Sequence, residues 1–321
     1  MELKTTELAQ IAIQLIDPAF DRILVACHRS PDGDTVGCAY ALTHVLRALG
    51  KQARVWCADP IPGDFAFLAI EEAELPFFQP ERFVSVDVAA QDMLPGADFA
   101  DKLDIVIDHH RTNDLPGRSR YVDPGAAACG EILLELFGAM GAEVDVYTAR
   151  ALYTAIATDT GCFKYSNVTD NTFLSAAYLA RRAGKGDLYR INKHFFETKS
   201  RHRMKLEAFA ADNAEFLFGG KVAFLSVSLA TQGALSASYE DLESLINVIR
   251  QVEGVVVAVV AKEREENIYK VSVRSEAGFD ASAFCGKFGG GGHLAAAGCT
   301  LEGGEDEVKT RLIEAIREML S

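Results

Sequence analysis

The sequence predicts an α/β protein in which an N-terminal parallel-sheet domain precedes a smaller C-terminal α/β domain. Three observations predict it. Short apolar, β-branched runs alternate with helical or loop segments between Arg22 and Asp108, helical spacing dominates from Gly130 to Ala183, and a strand–helix pattern restarts near Lys221. The 321 residues suffice for two domains of ordinary size, and an apolar share of 49% lies inside the globular range.

Residues 1–16 mix Glu2, Lys4 and Glu7 with spaced apolar side chains, the pattern of an amphipathic helix and not of a signal peptide. A strand over 23–26 leads through Cys27-His28-Arg29-Ser30-Pro31-Asp32-Gly33-Asp34 into a helix over 35–49. Strands over 53–57, 83–87 and 105–107 follow, too uniformly apolar for a sheet with one wet face, so the sheet is expected to be parallel and covered on both sides. Asp87 closes one of these strands and Asp108 another, and His109-His110 come directly after.

Helices are predicted over 130–140, 144–158 and 171–183. The second leaves Asp159 at its C-terminal end, where a carboxylate is unfavourable unless a cation is close. Arg190, Lys193, Lys199, Arg201, Arg203 and Lys205 against Glu197 form the basic patch of an otherwise acidic chain, read as a helical linker over 189–215 whose charges face solvent or a bound phosphate. Beyond it, strands over 222–228, 255–262 and 268–274 and helices over 239–251, 280–287 and 305–320 make the second α/β unit. Between its last two helices stands Gly289-Gly290-Gly291-Gly292-His293. Four glycines cost chain entropy and remove every Cβ, which lets backbone amides approach a ligand closely.

The net charge of -14, from 32 basic and 46 acidic side chains, argues against a protein that coats long duplex DNA, while small anions remain accessible through bound divalent cations. Seven scattered cysteines without a Cys-x-x-Cys pair read as buried thiols in a reducing compartment. The longest aliphatic run, 255–261, is far too short to cross a bilayer, so a cytoplasmic protein without a membrane partner is expected.

The chemistry resides in His28, Asp32, Asp34, Asp87, His109 and Asp159. Taken alone, Pro31-Asp32-Gly33 is a turn and Asp34 a helix cap, which leaves His28 unexplained. Mixed imidazole and carboxylate donors without thiolate pairs suit an ion such as Mn²⁺ and not structural zinc. Six donors are generous for one ion and about right for two ions sharing a carboxylate, the arrangement of two-metal phosphoryl chemistry.

The set His28-x-x-x-Asp32-x-Asp34, Asp87, Asp108-His109-His110 and Asp159, followed by the glycine run and His293, resembles the DHH phosphoesterase family with its DHH-associated C-terminal domain, over nearly the whole chain. The resemblance implies a catalytic metal-binding domain over 1–188, the linker, and a substrate-binding domain over 216–321. It implies two Mn²⁺ ions, replaceable by Mg²⁺ or Co²⁺: His28 and Asp32 on the first, Asp34, His109 and Asp159 on the second, Asp87 on both. His110 would face the scissile phosphate, Asp108 would orient a histidine, and a hydroxide between the ions would attack phosphorus. Arg111 and Asn113, with Arg274, Ser275, Gly290, Gly291, Gly292 and His293, would bind the substrate.

Activities of this family include degradation of very short RNA, removal of the 3′-phosphate of 3′-phosphoadenosine-5′-phosphate (pAp), cleavage of cyclic dinucleotides and exonuclease action on single-stranded DNA. The two-domain layout is similar to the stand-alone oligoribonuclease and pAp phosphatase type, releasing nucleoside 5′-monophosphates. The alternatives are a stand-alone phosphodiesterase for cyclic di-AMP or its linear product pApA, and a catalytically silent nucleotide-binding regulator. Expected partners are short RNA oligonucleotides or small nucleotides, and the oligomeric state is left open, a homodimer included.

Overall fold

Residues 6–69, 78–238, 240–276 and 278–320 are described by the computed structural model, the side chains of Glu240 and His293 excepted. The chain divides into two compact units, Met1–Thr198 and Lys199–Ser321. The division falls inside the basic run Arg190–Lys205, three of whose cations are ion-paired: Arg190 with Asp187, and Lys199 and Arg203 with Glu207.

The first unit is built on a five-stranded, wholly parallel sheet in the order β2-β1-β3-β4-β5. Its elements are α1 (Thr6–Ile16), β1 (Ile23–Cys27), α2 (Gly33–Ala48), β2 (Ala53–Cys57), β3 (Arg82–Val86), β4 (Leu103–Asp108), β5 (Gly117–Val122), α3 (Cys129–Ala139), α4 (Val146–Asp159), α5 (Asp170–Ala180) and α6 (Asp187–Asn192), ending in a π turn at Lys193–Glu197. Helix α1 buries Leu8, Ile11, Ala12 and Leu15, a stripe at helical spacing. Every residue of β1 is buried: Ile23, Val25 and Cys27 join the main core with α1–α4, while Leu24 and Ala26 pack with Leu94, Phe99 and Leu103 on the other face. Two covered faces explain why the strands read as continuous apolar runs.

Strand order reverses between β1 and β3, and the carboxyl ends of strands at such a reversal open a crevice for ligands. His28 to Asp34 follow β1 there, and Asp87 follows β3. Helix α4 is brought close to α2 by small residues. A Cβ on Gly37 would lie 2.6 Å from the Ala151 carbonyl oxygen, and one on Gly33 would lie 2.2 Å from Thr158 Oγ1. This contact delivers Asp159, at the end of α4, to the same sheet edge.

The second unit holds α7 (Arg201–Asn213), β6 (Glu215–Leu217), β7 (Val222–Val227), α8 (Leu229–Leu235), α9 (Leu245–Ile249), β8 (Val257–Glu265), β9 (Ile268–Ser275), α10 (Ala281–Gly286), β10 (Gly291–His293), β11 (Ala296–Glu302) and α11 (Glu305–Leu320). They form a six-stranded mixed sheet, β10-β11-β9-β8-β7-β6, in which only β7 and β8 run parallel among the described residues. One face packs on α10 and α11 and the other on α7 and α9.

The α/β class and the parallel N-terminal sheet match the sequence reading, and the differences are local. Strand β5, Gly117-Arg-Ser-Arg-Tyr-Val, escapes a search for apolar runs because it is an edge strand with exposed arginines. The helix expected over 239–251 is a 3-10 turn, Glu240–Ser244, continued by the short α9. The glycine run is not an open loop but the start of the β10–β11 hairpin. Among the described residues no helix is long and apolar enough to cross a membrane.

Candidate metal centre

Three groups of ligand-capable side chains converge at the carboxyl edge of the parallel sheet: His28, Asp32 and Asp87; Asp34, His109 and Asp159; and Asp87, Asp108, His109 and His110. Within each group the candidate donor atoms lie within 4.8 Å of one another. Nε2 of His28 is 3.7 Å from Asp32 Oδ1 and 3.8 Å from Asp87 Oδ2. Nε2 of His109 is 3.4 Å from Asp87 Oδ1, 3.7 Å from Asp159 Oδ2 and 3.8 Å from Asp34 Oδ2. Asp87 is thus common to both halves.

Backbone carbonyls aim both imidazoles. Nδ1 of His28 lies 2.7 Å from the Arg29 carbonyl oxygen and Nδ1 of His109 lies 3.2 Å from that of Ala126. Donation of the Nδ1 proton leaves Nε2 as the lone-pair nitrogen facing the acids, the tautomer a metal ligand needs. The acids are held as firmly. Asp32 caps α2, accepting from the amides of Asp34 and Thr35, and Asp34 accepts from Cys129 and Gly130 at the start of α3. Asp87 has φ +58, a left-handed conformation uncommon outside glycine and tolerated best by Asp and Asn. Such strain at a strand end belongs to a site where the direction of a carboxylate matters.

Crowded carboxylates set the electrostatics. Burial alone would push His109 down, but Asp87, Asp34 and Asp159 outweigh it and raise its pKa to about 11. His28 behaves alike, its burial overcome by Asp32 and Asp87, and reaches about 9. Burial, with Asp87 and Asp159 beside it, drives Asp34 well above the usual carboxylate range, and burial, opposed by His109 and reinforced by Asp87 and Asp32, lifts Asp159 to about 7. So much negative charge in one place retains protons unless cations replace them. Oδ1 of Asp87 makes the same point structurally: it is buried and accepts no hydrogen bond, which a carboxylate oxygen seldom tolerates without an ion. Donor set, aimed Nε2 atoms and orphaned oxygen fit divalent cations.

The DHH triplet is organised by its aspartate. Asp108 is fully buried, and its Oδ1 accepts from the amide of His109 at 2.7 Å and faces Nδ1 of His110 at 2.8 Å, while Oδ2 accepts from the side-chain amide of Asn113 at 2.6 Å.

Two of the residues expected to meet substrate already carry side-chain contacts within the protein. The Asn113 amide is spent on Asp108 and the Val88 carbonyl, and the Ser275 hydroxyl on the carbonyl oxygens of Phe279 and Leu294. Both side chains brace the protein. Arg111 is exposed, and Arg274 donates to the Val273 carbonyl. The side chain of His293 lies outside the described residues, and its backbone belongs to β10. Gly290 and Gly292 are required by the hairpin, since a Cβ would lie 2.2 Å from the Gly298 carbonyl oxygen at the first and 2.6 Å from that of Ala296 at the second; at Gly291 a Cβ would meet nothing within 4 Å. Sequence reading missed the carbonyls of Arg29 and Ala126 and the α3 amides, because backbone groups carry no residue-type signature.

Residues 22–156 match the DHH family, N-terminal domain, and residues 219–321 match the DHHA1 domain. The bifunctional oligoribonuclease and PAP phosphatase NrnA of Thermus thermophilus is 35% identical over 93% of this chain and 90% of its own length. The chain belongs to the DHH phosphoesterase family. As a member it is a metal-dependent hydrolase of phosphoester bonds. The NrnA of Bacillus subtilis is similar at 24% identity over 88% of this DHH-family chain and 90% of its own. In fold, the chain is like an exopolyphosphatase-related protein from Bacteroides fragilis, with a TM-score of 0.87, 21% identity, and coverage of 100% of this chain and 97% of that one.

Proposed function

We propose that this DHH phosphoesterase hydrolyses short oligoribonucleotides to nucleoside 5′-monophosphates and removes the 3′-phosphate of pAp, using two Mn²⁺ ions. His28 and Asp32 would hold one ion and Asp34, His109 and Asp159 the other, with Asp87 shared between them. Asp87 carries the reading: its two oxygens face two different histidine–carboxylate groups, and one of them has no hydrogen-bond partner. When bound, the ions supply Lewis acidity for the phosphoryl oxygens and activate water.

The chain's own residues orient and exclude. His28 and His109 are held in one tautomer by carbonyls, Asp34 is clamped by the start of α3, and His110, braced by Asp108, stands at the scissile phosphate to stabilise charge on its oxygens. Residues 216–321 form the substrate-binding domain, where the β10–β11 hairpin offers backbone amides at Gly291. The choice of short RNA and pAp is supported by the 35% identical relative, whose name gives both activities, and by a net charge of -14 unsuited to long polyanions.

The test is a rate comparison with Mn²⁺ on diribonucleotide, pAp, cyclic di-AMP and single-stranded DNA. Diribonucleotide and pAp should be turned over fastest. Preference for cyclic di-AMP would replace the reading with a cyclic dinucleotide phosphodiesterase, and tight nucleotide binding without turnover would replace it with a regulator.

A further inference from the structure

Asn113 has both amide protons and both carbonyl lone pairs engaged by the protein. Nδ2 donates to Asp108 Oδ2 at 2.6 Å and to the Val88 carbonyl oxygen at 2.8 Å, while Oδ1 accepts from Arg120 at 2.8 Å and from the Leu115 amide at 3.2 Å. Rotating the amide by half a turn would set donors against donors and acceptors against acceptors, so its orientation is fixed by its surroundings. Arg120 also donates to the Asn113 main-chain carbonyl at 3.1 Å. The contacts run in series from Arg120 on β5 through Asn113 to Asp108 on β4 and on to His110. Val88 is the neighbour of Asp87, so the same amide ties the segment after β4 to the segment after β3.

We infer that Asn113, locked by Arg120, is a positioning residue for His110: it stops the buried Asp108 carboxylate from rotating, and thereby holds the His110 imidazole in one tautomer and one swing. The inference rests on the proposed place of His110 at the scissile phosphate. With Oδ2 released, the carboxylate would be held through Oδ1 alone, by the His109 amide and His110, and could swing about that anchored oxygen, and the imidazole would follow. Arg120 lies at the exposed end of the series, where substitution removes a contact without opening the core.

The experiment uses the full chain with Mn²⁺ and the chromogenic diester bis(p-nitrophenyl) phosphate beside a diribonucleotide. Asn113→Ala should lower kcat about 10–100-fold with KM within about twofold and metal content per chain unchanged, as for the loss of a hydrogen-bonded support behind a working histidine. Arg120→Ala should lose kcat by less than Asn113→Ala, and Arg120→Lys should recover part of the loss. In an Asp108→Ala background, Asn113→Ala should cost almost nothing more, since the two act in one series. Long-range proton–nitrogen spectra of the metal-free protein, recorded at alkaline pH where His110 is neutral, should show a single His110 tautomer that becomes mixed in Asn113→Ala. Unchanged kcat in both variants, full additivity with Asp108→Ala, or an unaltered His110 spectrum overturns the inference. If the chromogenic ester is cleaved and the diribonucleotide is not, the substrate reading fails and the inference survives; if neither is cleaved, the imidazole spectrum still decides it.

Discussion

Oδ1 of Asp87 lies 3.4 Å from Nε2 of His109, buried and accepting no hydrogen bond, on a residue just past β3 whose own backbone is left-handed. An ion shared by the two residues would relieve the unpaired oxygen and justify the strained backbone. Asp87→Asn keeps a residue tolerant of φ +58 and nearly the same volume, so the variant should fold normally. Its Mn²⁺ content and its turnover of diribonucleotide should both fall, the latter by at least about 100-fold. Wild-type turnover in a folded Asp87→Asn protein would remove the bridging role.

Metal binding should tighten as pH rises. His28 and His109, raised to about 9 and about 11, carry protons at neutral pH in the metal-free site, and a ligating imidazole must give its proton up. Each ion therefore displaces protons, and the apparent Kd should fall steadily between pH 6 and 9. Calorimetry in buffers of different ionisation enthalpy counts the released protons, and buffer-independent heats would contradict the scheme.

The stability of the chelated protein should run the opposite way. The folded-state pKa of His28 lies above its unfolded value of 6.5, at about 9, and that of Asp159 above 3.8, at about 7. A raised folded pKa contributes stability that is complete below the unfolded value and is lost as pH climbs through the folded one. For Asp159 the loss is spread from about pH 4 to 7, and for His28 from about 6.5 to 9. Thermal scans with chelator should show Tm declining across pH 6–9, and added Mn²⁺ should flatten the decline.

Adjacent glycines of the β10–β11 hairpin should respond differently to the same change. Gly290→Ala places a methyl 2.2 Å from the Gly298 carbonyl oxygen and 2.5 Å from Cys299 Cβ, and should destabilise the second unit by about 1–3 kcal/mol. Gly291→Ala meets nothing within 4 Å and should leave Tm unchanged, yet raise KM for diribonucleotide where the amide must approach the substrate. A Gly291→Ala enzyme with unaltered KM would take that amide out of substrate binding.

The sequence alone determined the α/β class, the strand ends that carry Asp87 and Asp108, the helix end that carries Asp159, and the mixed imidazole–carboxylate donor types. These follow from local periodicity and from the chemistry of each side chain, both of which are properties of short stretches. Only the tertiary structure decided which atoms face one another. The carbonyls of Arg29 and Ala126 choose the nitrogen each histidine presents, Gly33 and Gly37 let α4 come close enough to bring in Asp159, and Arg120 on the polar edge strand β5 holds Asn113 against Asp108. Those choices depend on backbone groups and on contacts between residues distant in the chain, and neither leaves a mark in residue type or spacing.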